Sequence, residues 1–189
     1  MTPEKEALRQ ALRGAASALK DGGPPFALAG SYSLWAYGAP EPVHDVDFVV
    51  AESATEAAVA TLREAGFVIE RPPEDWLFKA HPDGAPDVTV DVLHRVNGRP
   101  IGVEELSEAQ ERDVLAIRMP VLPPSAVLIQ KLRALGEHDC DFAALLPATR
   151  AVREQLDWDR IERETVDNHY AAAFLMLTVR LGLRVKDEV

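Results

Sequence analysis

Two aspartates that lie two positions apart in an apolar segment are the first residues here that suggest chemistry. They are Asp45 and Asp47, within VHDVDFVV at 43–50. If this run is a β-strand, its side chains alternate, so both carboxylates project from one face while Val46 and Phe48 project from the other. Carboxylates held this close repel each other, and a divalent cation between them removes the repulsion. The pattern therefore predicts a metal site.

The ligand type indicates which metal this site would hold. Carboxylate oxygens, with other positions left for water and phosphates, suit Mg²⁺ or Mn²⁺ rather than zinc. A third carboxylate is expected on a neighbouring strand, and DVTVDVLH at 87–94 supplies Asp91. Asp87 shares its face but lies four strand residues away, roughly 13 Å, too far to serve the same metal pair. We therefore predict that Asp45, Asp47 and Asp91 bind the metal, next to a phosphate-bearing substrate.

A Gly-Ser pair at the junction of a predicted strand and a predicted helix offers a place for those phosphates. PFALAG at 25–30 has the composition of a short buried strand, and 31–37 that of a short helix that ends before Gly38. Gly30 lets a phosphate approach the backbone, while free N–H groups of the helix start and the Ser31 hydroxyl can bind its oxygens. Beside a metal pair, this arrangement favours in-line phosphoryl or nucleotidyl transfer.

Apolar spacing, caps and turn residues predict the elements that must position these side chains. Helices are predicted over 3–22 and 53–65, and the chain from Ser125 onward has a helical pattern. The predicted strands that follow the second helix are FVIE (67–70), WLFKAH (76–81), DVTVDVLH (87–94) and VLAIRMPVL (114–122). The expected fold class is α+β: a small mixed β-sheet core packed with helices over 1–123, then a helical carboxyl-terminal segment over 124–189 that completes the cleft.

Composition limits the classes of function. The net charge of −11 over 189 residues disfavours broad binding to DNA or to anionic membranes, because both derive most of their affinity from lysine and arginine. The amino terminus lacks the apolar core of a signal peptide, and no run approaches eighteen apolar residues, so we expect a cytoplasmic protein. Cys140 is the single cysteine, which excludes an internal disulfide and a multi-cysteine zinc site.

The order of these motifs carries a family resemblance. The sequence resembles the DNA polymerase β-like nucleotidyltransferase superfamily in three motifs: Gly30-Ser31, then Asp45-Val46-Asp47, then Asp91. This resemblance covers residues 26–96. It implies an Mg²⁺-dependent enzyme that moves a nucleoside monophosphate from a nucleoside triphosphate such as ATP to an acceptor. The three aspartates would hold two Mg²⁺ ions, Asp91 would assist deprotonation of the acceptor, and Gly30 and Ser31 would hold the β- and γ-phosphates.

A second resemblance extends beyond the core. The segment MPVLPPSAVLIQKLRALGEHDCDFAAL at 119–145 is similar to a region of small bacterial nucleotidyltransferases, including abortive-infection type IV toxins. In those proteins a proline-led helix carries a lysine and is followed by an aspartate-bearing helix, and Lys131 and Asp141 stand in the two places. The resemblance implies that Lys131 contacts the nucleotide and that a toxin–antitoxin pairing would bring a protein antitoxin as partner.

Several alternatives stay open from the sequence. The acceptor is an RNA end, a small hydroxylated molecule or a protein, and the nucleotide is not specified. A different class of function is a catalytically inactive binding module that keeps the nucleotidyltransferase fold. The histidines His44, His81 and His94 have no metal-ligand spacing, so we expect them to be surface or packing residues.

Overall fold

The amino-terminal helix forms where the sequence predicts it. In the computed structural model, which describes residues 2–184, helix α1 spans Pro3–Gly22. Thr2 caps it by accepting a hydrogen bond from the backbone N–H of Lys5. The other elements are β1 (Phe26–Leu28), α2 (Gly30–Ala36), β2 (Val46–Val50), α3 (Thr55–Glu64), β3 (Phe67–Glu70), β4 (Leu77–Pro82), β5 (Val90–Leu93), β6 (Arg95–Val96), β7 (Arg99–Pro100), α4 (Val103–Ser107), β8 (Gln110–Val114), β9 (Ile117–Val121), α5 (Pro124–Ala134), α6 (Phe142–Val152), α7 (Trp158–Glu164) and α8 (His169–Arg180). Two 3₁₀ turns precede α3 and α7.

Seven of the strands form one mixed sheet in the order β3-β4-β5-β2-β1-β9-β8. The β2–β5 and β1–β9 pairs are parallel and the other neighbours are antiparallel. Strands β6 and β7 form a separate two-stranded hairpin. A mixed sheet combined with helices confirms the predicted α+β fold class.

Two strand predictions differ from the structure. The predicted strand over 43–50 is too long: β2 begins at Val46, opposite Val90, where its parallel partner β5 also begins. The segment predicted as one strand over 114–122 contains a hairpin turn instead. Leu115 and Ala116 form that turn with φ angles of 51° and 65°. The sequence concealed it, because turns of this kind favour glycine, asparagine and aspartate.

The helical segment after residue 123 packs on the sheet domain through a shared core. Helix α5 begins at Pro124, where the division between 1–123 and 124–189 was placed, and proline suits the first helical turn. Buried apolar residues from both parts belong to one hydrophobic cluster, including Leu12, Val92, Leu128 and Phe174. Within residues 2–184, no helix is long and apolar enough to cross a membrane.

Candidate active site

Three neighbouring strands bring charged side chains to the same level of the sheet. Asp47 in β2 pairs in register with Asp91 in the parallel strand β5. Lys79 in the antiparallel strand β4 pairs with Asp91 from the other side. Neighbouring strands lie about 4.8 Å apart, and side chains in register share a face. Lys79, Asp91 and Asp47 therefore form a row across the sheet.

Asp45 lies next to this row and is the residue immediately before β2. Its carboxylate and that of Asp91 both raise the pKa of Asp47. Burial is the largest cause and brings the pKa of Asp47 to about 6 from its ordinary value of 3.8, although Lys131 and Lys79 oppose the rise. Burial also raises the pKa of the Asp91 carboxyl, and Asp45 adds to that rise. The structure thus brings together the three aspartates that the sequence selected.

Gly30 is explained by the position of the Asp47 carboxylate. Gly30 has a φ of +55°, and a Cβ atom placed on it would lie 1.8 Å from Oδ2 of Asp47. The backbone N–H of Ala29 also donates to the backbone carbonyl of Asp47, at 2.8 Å. Only glycine lets α2 begin this close to the carboxylate. The sequence attributed Gly30 to the approach of a phosphate; the group that fills this space in the structure is the Asp47 side chain.

Two cavities meet at Asp47 and Lys131, which line both. The larger, about 690 Å³, is also lined by Gly30, Trp76, Leu93, Arg95, Asn97 and Gln130. The smaller, about 420 Å³, is also lined by Ser31, Pro42, His44, Asp45, Ala144 and Pro147. Gly30 thus lines the larger cavity and Ser31 the smaller one. A site of this form has room for two different molecules that meet at Asp47.

Lys131 comes from the last turn of α5, which contacts α2. Its ammonium group has the largest effect among the charges that act on the pKa of Asp47, and it lowers that pKa. Within residues 2–184, its side chain forms no hydrogen bond or ion pair. Asp141, by contrast, caps α6: its side chain accepts a hydrogen bond from the N–H of Ala144 at 3.1 Å. The structure therefore places Lys131 in the site, while Asp141 has a structural task.

The carboxylates fit a divalent cation only in part. Asp45 and Asp47 form no side-chain hydrogen bond or ion pair in the described part of the chain, so their oxygens are open to a hard cation. Both oxygens of Asp91 instead accept from Lys79 Nζ, at 3.0 and 3.2 Å. Across residues 2–184, no group of three or more His, Cys, Asp or Glu side chains is arranged to hold a metal ion. Metal binding by all three aspartates remains a prediction.

Sequence reasoning missed Lys79, Trp76 and Arg95. The segment WLFKAH predicts only a strand, and nothing in it shows that its lysine faces Asp91. That proximity follows from the register in which β4 pairs with β5. The length of the turn between the two strands does not reveal this register. Trp76 is a large aromatic residue that is 43% exposed, and it lies beside Arg95 in the larger cavity.

No protein-family model matches the sequence, and a search of curated proteins finds no match. Solved structures do match. The solution structure of the antibiotic-resistance factor ANT(2'')-Ia has a TM-score of 0.63 at 11% identity, over 95% of this chain and 100% of that chain. The crystal structure of ANT(2'')-Ia with adenylyl-2''-tobramycin has a TM-score of 0.60 at 14% identity, over 89% and 97% of the two chains. A candidate nucleotidyltransferase from H. pylori has a TM-score of 0.57 at 15% identity, over 99% and 86%. The chain therefore shares its fold with these structures, which confirms the fold that the resemblance of its motifs implied.

Proposed function

We propose that this protein is a nucleotidyltransferase that moves a nucleoside monophosphate from a nucleoside triphosphate to an acceptor hydroxyl. One observation carries the proposal: Asp47 and Lys131 line both of two cavities, Asp45 lines the smaller one, and Asp91 lies in register with Asp47 on the neighbouring strand. Transfer between two bound substrates needs such a meeting point, because the reacting atoms must be held about 3–3.5 Å apart. In this proposal Asp45 and Asp47 lie where the nucleotidyl group would pass from one molecule to the other.

The triphosphate would be held by groups at the start of α2 and on α5. The Ser31 hydroxyl forms no hydrogen bond within the described residues and lines the smaller cavity, so it is available as a donor to phosphate oxygens. The ammonium group of Lys131 would pair with a phosphate as a point charge. Gly30 contributes by keeping the start of α2 close to Asp47.

Asp45 and Asp47 are the residues proposed to hold Mg²⁺ or Mn²⁺. When bound, the ion supplies positive charge next to the phosphates and neutralises charge on the leaving pyrophosphate. Asp91 lies level with Asp47 on the adjacent strand. We assign Asp91 the task of accepting the proton from the attacking hydroxyl, which requires a carboxylate within hydrogen-bond distance of that hydroxyl.

The acceptor proposed is a small hydroxylated molecule rather than an RNA end or a protein. Ser31 assigns the triphosphate to the smaller cavity, which leaves the larger cavity for the acceptor. The charged groups that line the larger cavity, Asp47, Asp75, Arg95 and Lys131, balance one another. The chain as a whole has a net charge of −11, which favours a cationic or neutral acceptor over a polyanion such as RNA. The structurally similar ANT(2'')-Ia, solved with adenylyl-2''-tobramycin, supports an acceptor of this size.

The test is a labelling experiment in which a whole cell extract supplies the possible acceptors. The protein is incubated with each labelled nucleoside triphosphate, Mg²⁺ and a cell extract, which is then separated into small molecules, RNA and protein. We expect label from one nucleotide to enter the small-molecule fraction, and Asp47→Asn to abolish it. Label in RNA or protein would refute the proposed acceptor.

Two further outcomes separate the remaining alternatives. Tight triphosphate binding with no transfer to any fraction would indicate the inactive binding module. An antitoxin partner stays a prediction. Copurification of a second protein with this chain from the native host would support it, and purification of the chain without a bound protein would contradict it.

A further inference from the structure

The ion pair between Lys79 and Asp91 borders the candidate active site, level with Asp47 in the sheet. Lys79 Nζ contacts both oxygens of Asp91, at 3.0 and 3.2 Å, across the β4–β5 pair. Asp91 is buried, with 8% of its surface exposed, and the lysine side chain is 30% exposed. The ammonium therefore engages both oxygens of a carboxylate that would otherwise be available to a metal ion.

We propose that Lys79 is the second cation of this site. It holds Asp91 in place and fills the position next to it that a second divalent ion would take, so the chain by itself binds one divalent ion, at Asp45 and Asp47. Lys79 is thus a positioning residue for the proposed proton acceptor. This inference rests on the proposed nucleotidyl transfer, but it concerns how many ions the chain binds, which can be measured without any reaction.

The charges at the site support this assignment. The formal charges of the three aspartates and of the ammonium groups of Lys79 and Lys131, which act on one another, sum to minus one. One divalent ion more than neutralises that charge, whereas two ions would leave the site strongly positive before a nucleotide arrives. If Lys79 is removed, the carboxylates exceed the remaining ammonium group of Lys131 by two charges, and Asp91 has open oxygens. A second ion is then favoured.

A purely structural task for Lys79 makes a different prediction. Cross-strand pairs of opposite charge stabilise sheets, and this pair joins β4 to β5. If that were its whole task, loss of Lys79 would change the stability of the fold but not the number of bound ions. Ion stoichiometry is therefore the measurement that separates the two.

The experiment counts Mn²⁺ bound per chain, without nucleotide, from the electron paramagnetic resonance signal of the free ion. We expect one ion for the wild type and for Lys79→Arg. We expect a second ion for Lys79→Met, bound about tenfold or more tightly than any second ion of the wild type, a coupling of ordinary size between two ligands. Asp91→Asn added to Lys79→Met should remove the second ion. Lys79→Gln repeats the test if the methionine variant folds poorly.

Lys20→Met is the matched control, because Lys20 is a lysine of α1 whose ammonium donates to the carbonyl of Arg118, outside the site. It should bind one ion like the wild type. Equal stoichiometry and affinity in the wild type and Lys79→Met would overturn the assignment of Lys79 while leaving the proposed function intact. No bound ion in any variant would overturn the metal site of the proposed function as well.

Discussion

Asp47 holds a carboxylate in a place that disfavours its charge, so replacing it should stabilise the protein near neutral pH. Burial and two neighbouring carboxylates raise its pKa from 3.8 to about 6. At 1.36 kcal/mol per pKa unit, this difference corresponds to about 3 kcal/mol of unfolding free energy. Asp47→Asn removes the charge and nearly preserves the shape. Because the asparagine amide can pack less well than the carboxylate, about 3 kcal/mol is the upper limit of the gain in unfolding free energy.

The pH dependence of this gain has a definite sign. The folded state keeps the proton on Asp47 up to about pH 6, whereas the unfolded chain releases it near 3.8. Between these values the folded protein binds more protons, so the stability of the wild type relative to Asp47→Asn falls as the pH rises. The difference should begin to grow near pH 3.8 and be complete at about pH 7.

The assay is urea unfolding of metal-free protein at several pH values from 4.5 to 7.5, in the presence of a chelator. For a chain of this length, a gain of about 3 kcal/mol also corresponds to a rise in Tm of roughly 6–12 °C. Asp87→Asn is the matched control, because Asp87 is exposed and lies outside the row of charges. It should change the unfolding free energy by no more than about 0.5 kcal/mol.

The same proteins test the metal site. Mg²⁺ at a hundred times its dissociation constant stabilises a protein by about 2.7 kcal/mol, so the wild type should gain on adding Mg²⁺ and Asp47→Asn should gain little. The reasoning fails if Asp47→Asn is less stable than the wild type at pH 7.5, or if its advantage does not change with pH. Equal gains from Mg²⁺ in both proteins would remove Asp47 from the metal site.

Three other substitutions have expected outcomes. Gly30→Ala should destabilise the fold by about 1–3 kcal/mol more than Gly84→Ala in urea unfolding: both glycines have positive φ, but only a Cβ at Gly30 meets Asp47. Equal losses of unfolding free energy in the two variants would show that Asp47 does not restrict the residue at position 30. Lys131→Ala should weaken triphosphate binding by about 1.5–3 kcal/mol in a nucleotide titration, with Lys131→Arg recovering part of it; unchanged affinity would remove Lys131 from the site. Asp45→Asn should abolish transfer while the unfolding free energy changes by no more than about 0.5 kcal/mol, since Asp45 is exposed; retained transfer would contradict its assigned task.

The sequence predicted those parts of the molecule that depend on local patterns. The strands that carry Asp47 and Asp91 and the short helix after the first strand were predicted, because caps, apolar spacing and alternation are properties of neighbouring residues. Their ends were not: Asp45 precedes β2, and Gly30 begins α2 rather than ending β1. The hairpin turn at Leu115 was missed, since its residues are not the usual turn formers. The pairing of Lys79 with Asp91 across β4 and β5 was also missed, because strand register depends on contacts between distant segments.

The two lysines near Asp47 differ in a way that the sequence could not reveal. Both oppose the rise in the pKa of Asp47, so both offset the repulsion among the carboxylates. Lys79 is committed to Asp91 through two hydrogen bonds, whereas Lys131 forms none within residues 2–184 and lines both cavities. A cation that is already paired contributes to the order of the site, and an unpaired one remains available to an incoming anion. The arrangement therefore favours Lys131 as the contact for phosphates and Lys79 as the residue that fixes Asp91.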